Sequence, residues 1–118
     1  MMCGAFCTAA LVERGVAGMT VSSGAFEWDS NKARANQIKH GISFEEAVAA
    51  FDDPYFLEIP DDEHSTQEEQ RIKGIGIVHD VVVVATVFTA REKRVRIISA
   101  RYATKKEEKR YYAQRFGY

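Results

Sequence analysis

Four consecutive valines at positions 81–84 open a run to Ala90 in which apolar residues are nearly unbroken. β-Branched side chains suit a pleated strand, and a strand without polar alternation has to be covered on both faces. This segment therefore belongs in the middle of a sheet. Residues 71–78 precede it across His79-Asp80, a connection of hairpin length. Asp is a fair turn former, but His79 is not the usual first residue of a type I′ turn, which leaves room for a longer or bulged hairpin. Residues 95–100 follow the charged turn at 91–94 and continue the meander.

The flanking segments carry helix signals. After a short apolar strand at 26–28, Asp29 or Ser30 can cap a helix over 31–39, and Gly41 can close it in the left-handed conformation. Ser43-Phe44-Glu45-Glu46 is a capping box for a second helix reaching Asp53-Pro54. A strand at 55–59 and an acidic loop at 60–68 come next. Thr104-Lys105-Lys106-Glu107 caps a terminal helix that ends at Arg115 or Phe116. The order β-α-α-β-β-β-β-α predicts an α+β fold, in which an antiparallel meander of about four strands carries two N-terminal helices and one C-terminal helix.

Residues 1–25 are rich in Gly, Ala, Ser and Thr without sustained periodicity, and read as a flexible or non-native extension. The 118-residue chain suits one domain, here residues 26–118. No apolar stretch approaches the roughly 18 residues of a membrane span. Cys3 and Cys7 make neither a disulfide framework nor a zinc site, which fits a reducing cytosol. Gly74-Ile75-Gly76 lies within a strand, so it reads as close packing or a bend and not as a dinucleotide fingerprint.

Charge is unevenly placed. Residues 26–70 hold three basic side chains against twelve acidic ones, a net of −9, whereas residues 71–118 hold twelve against four, a net of +8. A basic half is what an anion-binding face requires, although the two halves can equally pair with each other across the fold. Arg71, Arg91, Arg96 and Arg101 fall at strand ends, where a guanidinium is held by the sheet yet reaches solvent and can grip phosphate with two bonds. Each taken alone also reads as an edge-capping charge. Alternation puts Arg71, Lys73, Ile75 and Ile77 on one strand face, and Val95, Ile97, Ser99 and Arg101 together on another. His40, His64 and His79 are the side chains able to exchange protons near neutral pH. His64 adjoins Asp61, Asp62 and Glu63, where a metal is conceivable but an exposed loop is the commoner outcome.

Particular strings, taken in order, carry a family resemblance. They are Phe26-Glu27-Trp28-Asp29, Asn36, Lys39-His40-Gly41, Ser43-Phe44-Glu45-Glu46-Ala47 and Asp53-Pro54, then His64-Ser65, Glu69-Gln70-Arg71, Ile75-Gly76, Thr89-Ala90-Arg91 and Arg96-Ile97-Ile98-Ser99-Ala100-Arg101. From Phe26 to about Tyr112 this resembles the BrnT family of type II toxins. The resemblance implies a ribonuclease with a fold related to the RelE and ParE toxins, which arrests translation until a cognate antitoxin neutralises it. It also implies a ribbon-helix-helix partner of the BrnA type, with operator DNA reached only through the toxin–antitoxin complex. The segment before Phe26 lies outside the pattern, the loop at 65–69 is one residue longer than usual, and His79-Asp80 replaces a Gly-Arg common in the hairpin.

Metal-free RNA cleavage needs a group to deprotonate the 2′-hydroxyl, one to protonate the leaving 5′-oxygen, and cations for the charge developing on phosphorus. Arg71, Arg91 and Arg101 are the candidates for phosphate stabilisation, and His64 or His40 for proton transfer. Lys39, Lys73, Arg96 and Lys105 are candidate RNA contacts, with no metal or other cofactor. The competing expectation is a non-catalytic binding module, or a degenerate toxin acting with its antitoxin as a co-repressor.

Overall fold

The computed structural model describes residues 18–117. Its single sheet has six strands in the order β1-β2-β6-β5-β4-β3. They are β1 (Thr20–Ser23), β2 (Phe26–Asp29), β3 (Leu57–Pro60), β4 (Arg71–Val78), β5 (Val82–Ala90) and β6 (Val95–Tyr102). The helices are α1 (Ser30–His40), α2 (Phe44–Val48) and α3 (Lys105–Phe116). Among the described residues no helix is long and apolar enough to cross a membrane.

The run is interior from Val82 onward, with β5 between β4 and β6 and Val83 to Thr86 buried in succession, whereas Val81 belongs to the hairpin and is exposed. The four-stranded antiparallel meander is too small and too regular. β2 joins the edge of β6 in parallel, and β1 folds back on β2, so the sheet is six-stranded and mixed. Gly24, at φ +58°, permits the tight reversal between β1 and β2. The expected extension at 1–25 falls largely outside the described residues, but its last part contains β1. Nor are the first two helices N-terminal, since two strands precede them.

Capping proceeds as the sequence indicates. Asp29 accepts the Lys32 N–H, Gly41 closes α1 at φ +74°, and both Ser43/Glu46 and Thr104/Glu107 complete capping boxes. The helix expected up to Asp53 breaks at Ala49 into a short 3-10 turn, Ala49–Asp52. Asp53 then ends it by accepting the Tyr55 N–H. This turn consumes the first two residues of the expected strand at 55–59 and delays β3 to Leu57. In the hairpin, His79 and Asp80 both take positive φ, 53° and 64°, while Val78 pairs with Val82, so the connection carries one extra residue.

Two cores flank the sheet. Trp28, Phe44, Ala47, Val84, Phe88, Ile97 and Ala100 fill the face beneath α1 and α2. Ile75, Val83, Ala85 and Tyr111 form a smaller cluster on the other face, where α3 packs. Gly74 and Gly76 serve close packing: a β-carbon at Gly74 would stand 2.0 Å from Phe56 Cζ, and one at Gly76 2.8 Å from the Ala50 carbonyl oxygen. Asn36 of α1 takes over β6 edge groups, donating to the Ala100 carbonyl at 2.8 Å and accepting the Ala100 N–H at 3.0 Å.

The feature that positions the basic side chains is a break in β6. Val87 pairs with Ser99 but the next residue, Phe88, pairs with Ile97, which leaves Ile98 as an extra residue. The expected shared face of Val95, Ile97, Ser99 and Arg101 is thereby overturned. Val95 and Ile97 pack into the first core, while Arg96 moves to the face of Ser99 and Arg101. Strict alternation would have put Arg96 and Arg101, five apart, on opposite sides.

Candidate functional site

Directly opposed residues on neighbouring strands point to the same side, so the register defines rows across one sheet face. Arg71, Thr89 and Arg96 form one row; Lys73, Val87 and Ser99 the next; Ile75, Ala85 and Arg101 a third. The third row meets α3 through the second core. The first two lie toward the end of the sheet marked by Arg91, where Glu68, Glu69, Gln70, Ile72, Thr89, Ala90 and Arg91 line a shallow cleft of about 200 Å³.

Every cation of this face has a carboxylate partner. Arg71 Nε donates to Glu69 Oε1 at 2.9 Å, and Arg91 Nη2 to Glu69 Oε2 at 3.2 Å, so one carboxylate bridges two guanidiniums. Arg96 Nη1 donates to Glu27 Oε2 at 2.8 Å. Arg101 makes a two-point pair with Glu107 at 2.7 and 3.0 Å, and Lys73 Nζ reaches the same carboxylate at 2.7 Å. Glu69 and Glu27 thus bring the acidic half onto Arg71, Arg91 and Arg96, whereas Arg101 and Lys73 pair within the basic half, with Glu107. Five cations nevertheless share three carboxylates, which leaves the face positive by two.

Donor capacity distinguishes these cations. Arg71 spends only Nε and Arg91 only Nη2 on Glu69, so both keep N–H groups for another anion. Arg101 commits both terminal nitrogens to Glu107, and Nη1 also donates to the Tyr102 carbonyl at 3.3 Å. It is an anchor for the first turn of α3 more than an open phosphate ligand. The hydrogen bond from Arg71, opposed by partial burial and helped by the charges of Arg71, Arg91 and Lys32, holds the Glu69 carboxyl below its ordinary range. The Arg101 hydrogen bond does the same, more strongly, for Glu107.

The loop between β3 and β4 brings His64 to the Arg71 end of the sheet. Ser65 Oγ accepts the Arg71 N–H at 2.8 Å and donates to the Asp61 carbonyl at 2.7 Å, and Asp61 N–H donates to the Arg71 carbonyl at 2.9 Å. His64 Nδ1 lies 2.9 Å from Asp61 Oδ2, and the side chain is 58% exposed. Its Nε2 lies 3.8 Å from Glu63 Oε1, so the imidazole stands between two carboxylates. Among the described residues no group of three His, Cys, Asp or Glu is arranged to hold a metal ion.

Lys39 and His40 are not brought into this arrangement. They close α1, which packs against the first core through Ala33 and holds the β6 edge through Asn36. His79 sits at the hairpin tip, 3.9 Å from Glu46. Lys105 is exposed at the start of α3. Sequence reasoning missed Glu27, Glu69 and Glu107 as partners of the basic residues. Glu69 adjoins Arg71 in the Glu69-Gln70-Arg71 string, and Glu107 combines the capping role its position signals with binding Arg101.

Residues 28–107 match the family described as the ribonuclease toxin BrnT of type II toxin–antitoxin systems. No curated protein matches the chain. Among solved structures, the crystal structure of the Brucella abortus ribonuclease toxin BrnT is similar, with a TM-score of 0.51 and 22% sequence identity, over 66% of this chain and 94% of that one. That likeness supports the α+β architecture, and the family match covers more than half of the chain. The chain belongs to the BrnT family of type II ribonuclease toxins.

Proposed function

We propose that this protein is a metal-independent endoribonuclease that inhibits translation in the cytoplasm and is neutralised by a ribbon-helix-helix antitoxin of the BrnA type. The observation that carries the reading is the Arg71–Glu69–Arg91 bridge, two guanidiniums converging on one carboxylate while keeping free donors. A site that holds a carboxylate this way offers charge and fork geometry suited to a phosphodiester. In this reading Arg71 and Arg91 bind the scissile phosphate and stabilise the charge that grows on it. His64 transfers the proton, with Asp61 orienting its ring. Lys73 and Arg96 extend the positive face along the RNA. Arg101 positions α3, and Lys39 and His40 have no part in the chemistry.

A second reading, a binding module that represses its own operon together with the antitoxin, is favoured by the complete pairing of the sheet-face cations with carboxylates. Incubating the purified protein with RNA in excess chelator separates the two. Multiple-turnover cleavage supports the nuclease, saturable binding without products supports the module, and cleavage that vanishes in chelator overturns metal independence. Co-expression with a ribbon-helix-helix antitoxin should relieve growth arrest and yield a stable complex.

A further inference from the structure

The twelve Lys and Arg residues after position 70 divide by what they bond. Arg71, Lys73, Arg91, Arg96 and Arg101 engage carboxylates, Arg94 donates to the Gly24 carbonyl, and Arg115 donates to the Tyr111 hydroxyl. Lys93, Lys105, Lys106, Lys109 and Arg110 are exposed, and among the described residues none of the five has an ion pair or side-chain hydrogen bond; Lys93 stands alone in the turn after β5, and the other four gather on α3. At about 100° and 1.5 Å per residue, they occupy an arc of roughly 140° over about 8 Å of α3. That arc lies opposite Glu107 and Tyr111, the helix's buried residues. In α1, by contrast, Arg34 stands about 200° round from Lys32, so that helix gathers no comparable patch.

We infer that the outer face of α3 is a landing surface for the backbone of single-stranded RNA. Four adjacent cations without internal partners and without an interleaved aromatic or large apolar residue suit a chain of phosphates, whose binding is driven by counterion release. The exposed aromatic of α3, Phe116, stacks on Tyr112 more than a turn beyond Arg110, so no aromatic or apolar anchor of the kind a protein-docking hot spot uses sits among the four cations. Glu107 ties the inner side of α3's first turn to Arg101 and Lys73, so the four cations stand on the far side of the helix, about 10 Å beyond that contact. The choice of RNA as the polyanion rests on the ribonuclease reading; the existence of the surface does not.

The test is binding of a 2′-O-methyl oligoribonucleotide, which lacks the internal nucleophile, by fluorescence anisotropy at several salt concentrations. A K105Q/K106Q/K109Q/R110Q variant should bind more weakly, with a salt slope shallower by about 3, as four phosphate contacts at about 0.7 each would give. Unchanged affinity and slope would overturn the inference, as would tighter binding of duplex DNA through the same residues. Lysine acetylation of the unmutated protein supplies a readout independent of the variant's folding. RNA should protect Lys105, Lys106 and Lys109, and equal modification with and without RNA would overturn the assignment. Because the oligonucleotide cannot be cut, failure of this surface and failure of the nuclease reading give different results.

Discussion

Arg101 and Glu107 meet fork to fork, Nη1 to Oε1 at 2.7 Å and Nη2 to Oε2 at 3.0 Å, while the same carboxylate accepts the Thr104 N–H that opens α3. Glu107→Gln keeps the cap but removes the charge, and is expected to lower stability by about 1–3 kcal/mol. Arg101's hydrogen bond depresses the Glu107 carboxyl well below its ordinary 4.5. The associated stability is complete above that value and is lost as pH falls below it. Denaturant unfolding at pH 7 and pH 3 should show a gap between parent and variant that narrows in acid. An equal gap at both would contradict the pairing.

Tyr111 is fully buried; its hydroxyl donates to Asp53 Oδ2 and accepts from Arg115 Nη1 at 3.2 Å. Burial first, and then the Asp53 hydrogen bond, push its pKa up to about 12 from 10. The unfolded chain releases this proton earlier, so the contribution is intact below pH 10 and disappears as pH rises toward 12. Tyr111→Phe is expected to cost about 1–2 kcal/mol at neutral pH. It should also remove the highest-pH step from the phenolate absorbance titration. A titration identical to the parent's would place that step on another tyrosine.

Arg71→Ala and Arg91→Ala should each slow RNA cleavage on the order of 100-fold, the usual scale for losing one electrostatic donor. His64→Ala should reduce turnover and alter its pH profile, whereas His40→Ala should do neither. Rates measured on folded variants decide it. Parent-like cleavage by the Arg91 and His64 variants removes the assignment.

Gly74→Ala is expected to destabilise by about 1–3 kcal/mol through overpacking. The added methyl meets the Phe56 ring, which is itself wedged against Phe51 at 4.6 Å and Phe88 at 6.2 Å between ring centroids. A second change, Phe56→Leu, should recover part of the loss. Strict additivity of the two in a double-mutant cycle would argue against this contact.

What was legible in the sequence were the local signals. Ser43/Glu46 and Thr104/Glu107 cap as read, because a capping box is satisfied within four residues. The valines of β5 gave its central place, because a strand apolar on both sides has nowhere else to go. What failed was non-local. β1 hides in a Gly-, Ser- and Thr-rich stretch whose pairing with β2 is specified by the partner and not by its own pattern. The parallel docking of β2 on β6 leaves no mark in either segment. Arg71, Arg91 and Arg101 were found by residue type and position, yet their different degrees of commitment depend on Glu69 and Glu107. The arrival of those two at the arginines is a property of the folded register. Lys39 and His40 share the chemistry of the arginines and a string of the family pattern, but α1 ends away from the paired cations of the sheet face.

The extra residue at Ile98 makes the positive face sensitive to chain length in a way that composition does not reveal. Exchanging side chains in β6 would retune the affinity of the face one contact at a time. Deleting a single residue there would instead turn Arg96 toward the aromatic interior or drag Arg101 away from its helix. Along this strand the site can evolve by changing letters, but not by losing one.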